Sequence, residues 1–139
     1  MDQLSNTAAQ EKVRSDKQAQ SLKPALQQAN RNLKILSDAG VPIAMGTDSG
    51  AAGNPGRWQG YFEHVELEMM AKAGMTPMQV IVAATGGAAR VTKVDPQIGT
   101  IEPGKWADLL VLNANPLDDI RNTQKIHSVW IGGRRLAGE

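Results

Sequence analysis

Asp48 is the residue whose type and setting best suit catalytic chemistry. It lies within Ala-Met-Gly-Thr-Asp-Ser-Gly at residues 44–50, directly after an apolar run at residues 41–45. We predict a strand over residues 41–45. A strand that delivers one acid into a glycine-rich loop is how α/β enzymes present a catalytic group at the carboxyl end of a sheet. The alternative is a simple turn, since Asp, Ser and Gly are common turn formers.

Four further residues near Asp48 are candidates for binding substrate. Arg57, Trp58 and Tyr61 lie in or near the glycine-rich loop at residues 49–60, where they either line a substrate pocket or pack the loop down. His64 follows in a helical pattern, so it is either a site residue beside Asp48 or a hydrogen-bonded packing residue.

The elements around Asp48 follow from apolar spacing. Residues 1–20 are polar and predict a frayed or solvated helix. An amphipathic helix should then run to Gly40, which suits a left-handed C-cap, with Pro24 marking its first turn or a kink. Its stripe recurs at steps of three and four residues: Leu22, Leu26, Ala29, Leu33 and Leu36.

Two more helices are predicted after the loop. The first spans residues 63–74 and closes at Gly74; the second opens with a capping box at Thr76 and Gln79 and runs to about residue 89. Four methionines at helical spacing are predicted to pack in the core rather than to form a metal site: Met69, Met70, Met75 and Met78.

The pattern changes near residue 95 to turn-rich sequence with two apolar runs. We predict buried strands over residues 107–112 and 126–131, with Gly132-Gly133 as a turn and His127 in a surface or packing role. Asp108 should hydrogen-bond backbone amides. The predicted organisation is therefore a polar segment at 1–20, an αβαα segment at 21–93 and a small β segment at 94–139.

Composition sets further limits. The chain has 139 residues, 41% hydrophobic, which suits one ordinary globular domain but falls short of the about 250 residues of a (β/α)8 barrel. A net charge of +1 gives no indication of a nucleic-acid or membrane partner. Cysteine is absent, no apolar run approaches 18 residues, and the first residues lack signal-peptide features, so we expect a cytoplasmic protein.

Residues 30–136 resemble the carboxyl-terminal part of the metal-dependent amidohydrolase superfamily, near its imidazolonepropionase-like and Xaa-Pro-dipeptidase-like members. The motifs that carry the resemblance occur in order at residues 39–41, 46–50, 64–67, 73–77, 83–85, 88–89, 98–105, 107–109, 115–117 and 129–133.

The resemblance implies an α/β fold: the last part of a (β/α)8 barrel, strand 8 with its helices, followed by a β-sandwich segment. It makes residues 41–45 the eighth strand and Asp48 the acid that binds a divalent metal, zinc in the parent family, and takes the proton from the attacking water. The implied reaction is hydrolysis of an amide, cyclic amide or peptide-like C–N bond by metal-activated water.

The remaining metal ligands of that superfamily are missing. The chain has no His-x-His pair, and its two histidines are His64 and His127. A catalytic zinc needs three protein ligands, so we expect Asp48 to ligate metal only in a completed site and this chain alone to bind none tightly. Two alternatives follow: a non-catalytic module that self-associates, or half of a split hydrolase completed by another chain.

Overall fold

The computed structural model describes residues 7–50 and 58–138, and Arg57 lies outside them. Helix α1 spans Thr7–Ser15 and helix α2 spans Lys17–Asp38. The carboxylate of Asp16 caps α2 by accepting hydrogen bonds from the Gln18 and Ala19 amides at 2.8 and 3.3 Å. Helix α2 ends as predicted, with Gly40 at φ 73°, but it begins before Leu22, and Pro24 lies beyond its first turn.

The prediction of a strand over residues 41–45 is wrong. The segment 41–48 has no regular secondary structure; the amide of Val41 donates to Leu36 and that of Met45 to the Ala83 carbonyl, each at 3.0 Å. A strand needs a neighbour that completes its ladder of hydrogen bonds. In the described part of the chain no strand lies beside this segment, because the sheet forms entirely from later residues.

Helix α3 spans Tyr61–Lys72 and is followed by Gly74 at φ 108°, as its predicted end requires. Helix α4, Pro77–Val82, opens with the predicted capping box: Thr76 Oγ1 accepts from the Gln79 amide at 3.2 Å and Gln79 Oε1 accepts from the Thr76 amide at 2.8 Å. The helix then widens into a π turn at Ala83–Gly87 before helix α5, Ala88–Val91. The apolar spacing did not predict the π turn.

Three antiparallel strands form one sheet in the order β1-β2-β3: β1 is Leu109–Leu112, β2 is Ile126–Ile131 and β3 is Arg134–Gly138. The turn between β2 and β3 uses Gly132 and Gly133 at φ 56° and 76°. As predicted, Asp108 Oδ1 accepts a backbone hydrogen bond, from the Gly132 amide at 2.7 Å. His127 lies at a bulge opposite Val111 and Leu112 and is exposed.

The prediction that β1 and β2 are buried strands is wrong. Leu110 and Ile131 expose 46% and 54% of their surface. An apolar strand is buried only when a second layer covers its side chains, and no such layer covers these two within the described ranges.

The hydrophobic core lies between α3, α4, the π turn and a 3₁₀ helix at Ile120–Gln124. Met70 and Met75 belong to it as predicted, whereas Met78 is 53% exposed, which corrects its assignment to the core. Ile43 and Met45 pack against the same cluster and so hold the segment before Asp48. The buried members are Leu67, Met70, Met75, Val80, Ala83 and Ile120.

Among the residues described, no helix is both long and apolar enough to cross a membrane.

Candidate functional site

Asp48 has an unusual backbone conformation. Its φ is 51°, in the left-handed region that few residues other than glycine adopt. The side chain is exposed, and its carboxylate makes no hydrogen bond or ion pair with the described residues. The described part of the chain therefore leaves the oxygens of this carboxylate unengaged.

The neighbours of Asp48 on both sides are bound to one carboxylate on helix α3. Ser49 Oγ donates to Glu63 Oε1 at 2.5 Å, and Thr47 Oγ1 lies 3.3 Å from the same oxygen. The two hydroxyl oxygens are 2.9 Å apart, and Thr47 Oγ1 also accepts from the Ser49 amide at 3.2 Å. We call Thr47, Ser49 and Glu63 the Glu63 clamp.

The second oxygen of Glu63 closes the start of its own helix. Oε2 accepts from the Gly60 amide at 2.6 Å, which satisfies a donor that the first helical turn leaves open. The hydrogen bond from Ser49, followed by backbone amide donors and Thr47, holds the pKa of Glu63 below its ordinary value. Glu63 is therefore an ionised acceptor with both oxygens engaged.

His64 is bound to the 3₁₀ helix. Its Nδ1 lies 2.9 Å from Thr123 Oγ1, while that hydroxyl donates to the Ile120 carbonyl at 2.9 Å. The Thr123 hydroxyl has one proton, so which of the two groups donates in the contact with His64 depends on the tautomer of the imidazole. The contact seen for His64 is thus a packing contact, and the structure does not join it to the Glu63 clamp.

The two described aromatic candidates surround Phe62, which the sequence analysis did not single out. Tyr61 meets Phe62 edge to face with ring centroids 5.6 Å apart, and Trp58 lies 6.5 Å from Phe62 at 43°. Trp58 and Tyr61 nevertheless remain 42% and 36% exposed. They pack the start of α3 while each keeps part of its ring accessible.

The π turn supports the segment that leads to Asp48. The Ala83 carbonyl accepts from Ala88 within the turn and from Met45 across the core. Gly87 has no side chain where the Ile43 carbonyl approaches it. This close contact places the loop with Asp48 relative to the helices.

Glu66 lies one helical turn after Glu63 and is half-buried. Burial raises its pKa above the ordinary value. No hydrogen bond to its side chain is found within residues 7–50 and 58–138.

The donor set does not complete a metal centre. A catalytic zinc takes three protein ligands, and the described part of the chain contains no group of three or more His, Asp or Glu side chains able to hold one ion. Asp48 alone does not fit a resident metal.

Sequence reasoning missed the Glu63 clamp. Two signals were available: hydroxyl residues on both sides of Asp48, and an acid at the third helical position after Gly60, where side chains reach back to the helix start. Neither signal says that the two segments meet, since they are separated by the loop at residues 49–60.

The fold and the site define a mixed α/β protein in which the Glu63 clamp binds the loop that carries Asp48 to helix α3. Residues 6–136 match the amidohydrolase family, and the chain belongs to that family.

The chain is similar to several members of known type. It is 38% identical over 105 residues to ochratoxinase from Aspergillus niger, covering 72% of this chain and 20% of that protein. It is 36% identical over 83 residues to imidazolonepropionase from Geobacillus kaustophilus (strain HTA426), covering 56% of this chain and 18% of the relative. A Xaa-Pro dipeptidase crystal structure with bound methionine in the active site superimposes with a TM-score of 0.72 at 29% identity, covering 92% of this chain and 31% of that one.

These similarities confirm the resemblance and an α/β fold of amidohydrolase type. The chain spans about one fifth of the length of the curated relatives it matches.

Proposed function

We propose that this chain contributes Asp48 to the hydrolysis of an amide, cyclic amide or peptide-like C–N bond. The observation that carries the proposal is the carboxylate of Asp48, which has no hydrogen-bond partner among the described residues and lies in a loop bound on both sides to helix α3. Family membership supports the reaction class, and ochratoxinase and imidazolonepropionase are among the relatives.

The chemistry asked of Asp48 is proton transfer. A carboxylate within hydrogen-bond reach of a water accepts its proton as the water attacks the carbonyl carbon, and then returns that proton to the leaving nitrogen. Asp48 suits this role because its oxygens are not engaged by the described residues. Trp58 and Tyr61 are proposed to contact the substrate through their exposed ring surfaces, and His64 and Arg57 remain proposed binding residues.

Members of the family generally use a divalent metal. Because the described residues do not fit a resident metal, we propose that the remaining ligands come from further polypeptide, either a longer protein or a complementing chain. In that assembly, residues 41–45 are proposed to occupy the position of the eighth barrel strand, and residues 94–139 to form part of the β-sandwich. The role proposed for this chain involves only the Asp48 carboxylate and a water molecule.

The test is hydrolysis of a panel of N-acyl amino acids, dipeptides and cyclic amides by the full chain, alone and mixed with a purified amidohydrolase fragment that carries the missing histidines. Asp48→Asn keeps the shape and removes the base, so activity should fall by about 10²-fold or more. Asp38→Asn is the matched control, because Asp38 only pairs with Lys34 on the surface of α2 and should retain activity. Equal activity of Asp48→Asn and the parent chain would refute the proposal.

A second candidate function is self-association without catalysis. Its support is the apolar stripe of α2, where Leu22, Leu26 and Leu36 expose 62%, 47% and 44% of their surface. An apolar stripe of this length favours burial against another chain. Light scattering should show an oligomer that Leu22→Gln with Leu26→Gln dissociates. Val13→Gln on α1, at a residue 60% exposed, is the control; a strictly monomeric parent chain would refute self-association.

A further inference from the structure

We propose that Glu63 is a positioning residue that holds Asp48 in its left-handed conformation through the hydroxyls of Thr47 and Ser49. The conformational role of Glu63 rests on its contacts with Thr47 and Ser49, whereas its consequence for hydrolysis rests on the proposed function of Asp48.

The backbone conformation of Asp48 has an energetic cost. A non-glycine residue at positive φ is disfavoured relative to the right-handed regions, although less so for Asp and Asn than for other residues. Asp48 has φ 51°, and its side chain makes no hydrogen bond with the described residues that offsets this cost. The conformation must therefore be maintained by its surroundings.

The surrounding contacts act on both neighbours of Asp48. The residues covalently joined to Asp48 on either side, Thr47 and Ser49, both reach Glu63 Oε1, at 3.3 and 2.5 Å. Holding both neighbours to one atom restricts the peptide groups that flank Asp48, so its φ and ψ angles cannot change without breaking a contact to Glu63.

Glu63 is itself held in place. It belongs to α3, whose Leu67 and Met70 are buried in the core at 8% and 3% exposure. Its other oxygen is held by the Gly60 amide at 2.6 Å. The clamp thus ties the Asp48 loop to a packed helix rather than to another loop.

The engagement of both Glu63 oxygens also separates the roles of the two acids. Glu63 accepts hydrogen bonds at both oxygens, from the two hydroxyls at Oε1 and from the Gly60 amide at Oε2, and stays ionised. The Asp48 carboxylate has no hydrogen-bond partner among the described residues. We therefore assign Glu63 to positioning and leave proton transfer to Asp48.

The test is NMR spectroscopy on the full chain and on Glu63→Ala. A left-handed residue gives a strong intraresidue NOE between its amide and α protons, and we expect Asp48 to lose it in Glu63→Ala while the amide shifts of α3 persist. Glu68→Ala is the matched control, because Glu68 lies on the same helix but bonds Gln124 at 2.9 Å; it should keep the Asp48 signal. Retention of that signal in Glu63→Ala would overturn the proposal.

A second pair of variants removes the contacts without touching the helix. Ser49→Ala and Thr47→Val should each weaken the Asp48 signal, and Ser49→Ala should also raise the pKa of Glu63 toward its ordinary 4.5, because Ser49 supplies the largest lowering contribution. If Glu63→Ala does not fold, these variants decide: an unchanged Asp48 signal in both overturns the proposal.

Kinetics distinguish this inference from the proposed function. In a hydrolysing preparation, Glu63→Ala should lower kcat with little change in KM, since positioning of the base affects the chemical step. Full activity of Asp48→Asn would refute the proposed function. The NMR result would still test the positioning role of Glu63 independently. An unchanged Asp48 NOE would refute the clamp whatever the activity.

Discussion

Gly87 lies so close to the carbonyl oxygen of Ile43 that a Cβ atom built on it would clash with that oxygen. The approach joins the π turn to the segment that leads to Asp48, with the Met45–Ala83 hydrogen bond beside it at 3.0 Å. Backbone meets backbone at this point, so neither side can yield by rotating a side chain.

Gly87→Ala should therefore lower the free energy of unfolding by about 2 kcal/mol, the scale of overpacking a filled core. Gly86→Ala is the matched control, because its new Cβ would lie 3.5 Å from the Gly99 carbonyl oxygen, an ordinary contact. That control should be neutral or more stable by about 0.5–1 kcal/mol, since alanine is the better helix former. Urea unfolding of both variants measures the difference, and equal stabilities would contradict the prediction.

The pH dependence of stability should carry two contributions of opposite sign from α3. The pKa of Glu63 is lowered from 4.5 in the folded chain. Its contribution to the stability of the fold is therefore present above pH 4.5 and is lost as the pH falls through the pKa that Glu63 has in the folded state. Glu63→Gln should destabilise the chain at pH 7 by about 1 kcal/mol, the scale of losing a helix cap. The difference between variant and parent should shrink as the solution is acidified below pH 4.5.

Glu66 should behave in the opposite way. Burial raises its pKa from 4.5, so the fold favours the protonated form, and stability is lost as pH rises from 4.5 through the folded pKa. Glu66→Gln should raise the midpoint of thermal unfolding at pH 7 and leave it nearly unchanged at pH 3.5. A lower midpoint at pH 7 would show that the Glu66 carboxylate has a stabilising partner.

Thr123→Val should destabilise the chain by about 1–2 kcal/mol. Thr123 is 7% exposed, and the substitution removes the hydroxyl that bonds His64 Nδ1 and the Ile120 carbonyl. Thr92→Val is the control, because the Thr92 hydroxyl donates only within its own helix, to Ala88 at 2.9 Å and Ala89 at 3.2 Å. Combining Thr123→Val with His64→Ala should cost less than the sum of the two single changes; strict additivity would mean that the pair is not coupled.

The chain on its own should not retain a stoichiometric divalent metal after dialysis. The described residues offer no group of three ligands, and one carboxylate binds such an ion only weakly. Elemental analysis of the dialysed protein gives the metal content directly. One tightly held zinc per chain that disappears in Asp48→Ala would contradict this prediction.

Much of the local structure was predictable because it depends on residues close in sequence. The Thr76 capping box, the left-handed Gly40 and the Gly132-Gly133 turn were all expected, and each depends on neighbouring backbone geometry. A backbone hydrogen bond to Asp108 was expected from one acid on an otherwise apolar strand, and the structure shows that the Gly132 amide donates it. The family, too, was evident from ordered motifs, and the matched range of residues 6–136 confirms it.

Features that depend on distant partners were not predictable. Residues 41–45 have the apolar composition of a strand, yet a strand exists only where a neighbour completes its ladder, and the described chain has none there. The prediction that Leu110, Ile131 and Met78 are buried was wrong for the same reason. Whether an apolar side chain is covered depends on how distant elements pack against it.

The sequence by itself determined that Asp48 sits in a polar, glycine-rich loop after an apolar segment, because those features are residue identities. Tertiary structure alone decided which groups meet that loop. Glu63 binds the residues flanking Asp48 across the intervening loop, and His64, the next residue, is directed instead to Thr123. Successive helical residues point about 100° apart, so the packing of α3 against the core assigns one to the Asp48 loop and the other to the 3₁₀ helix.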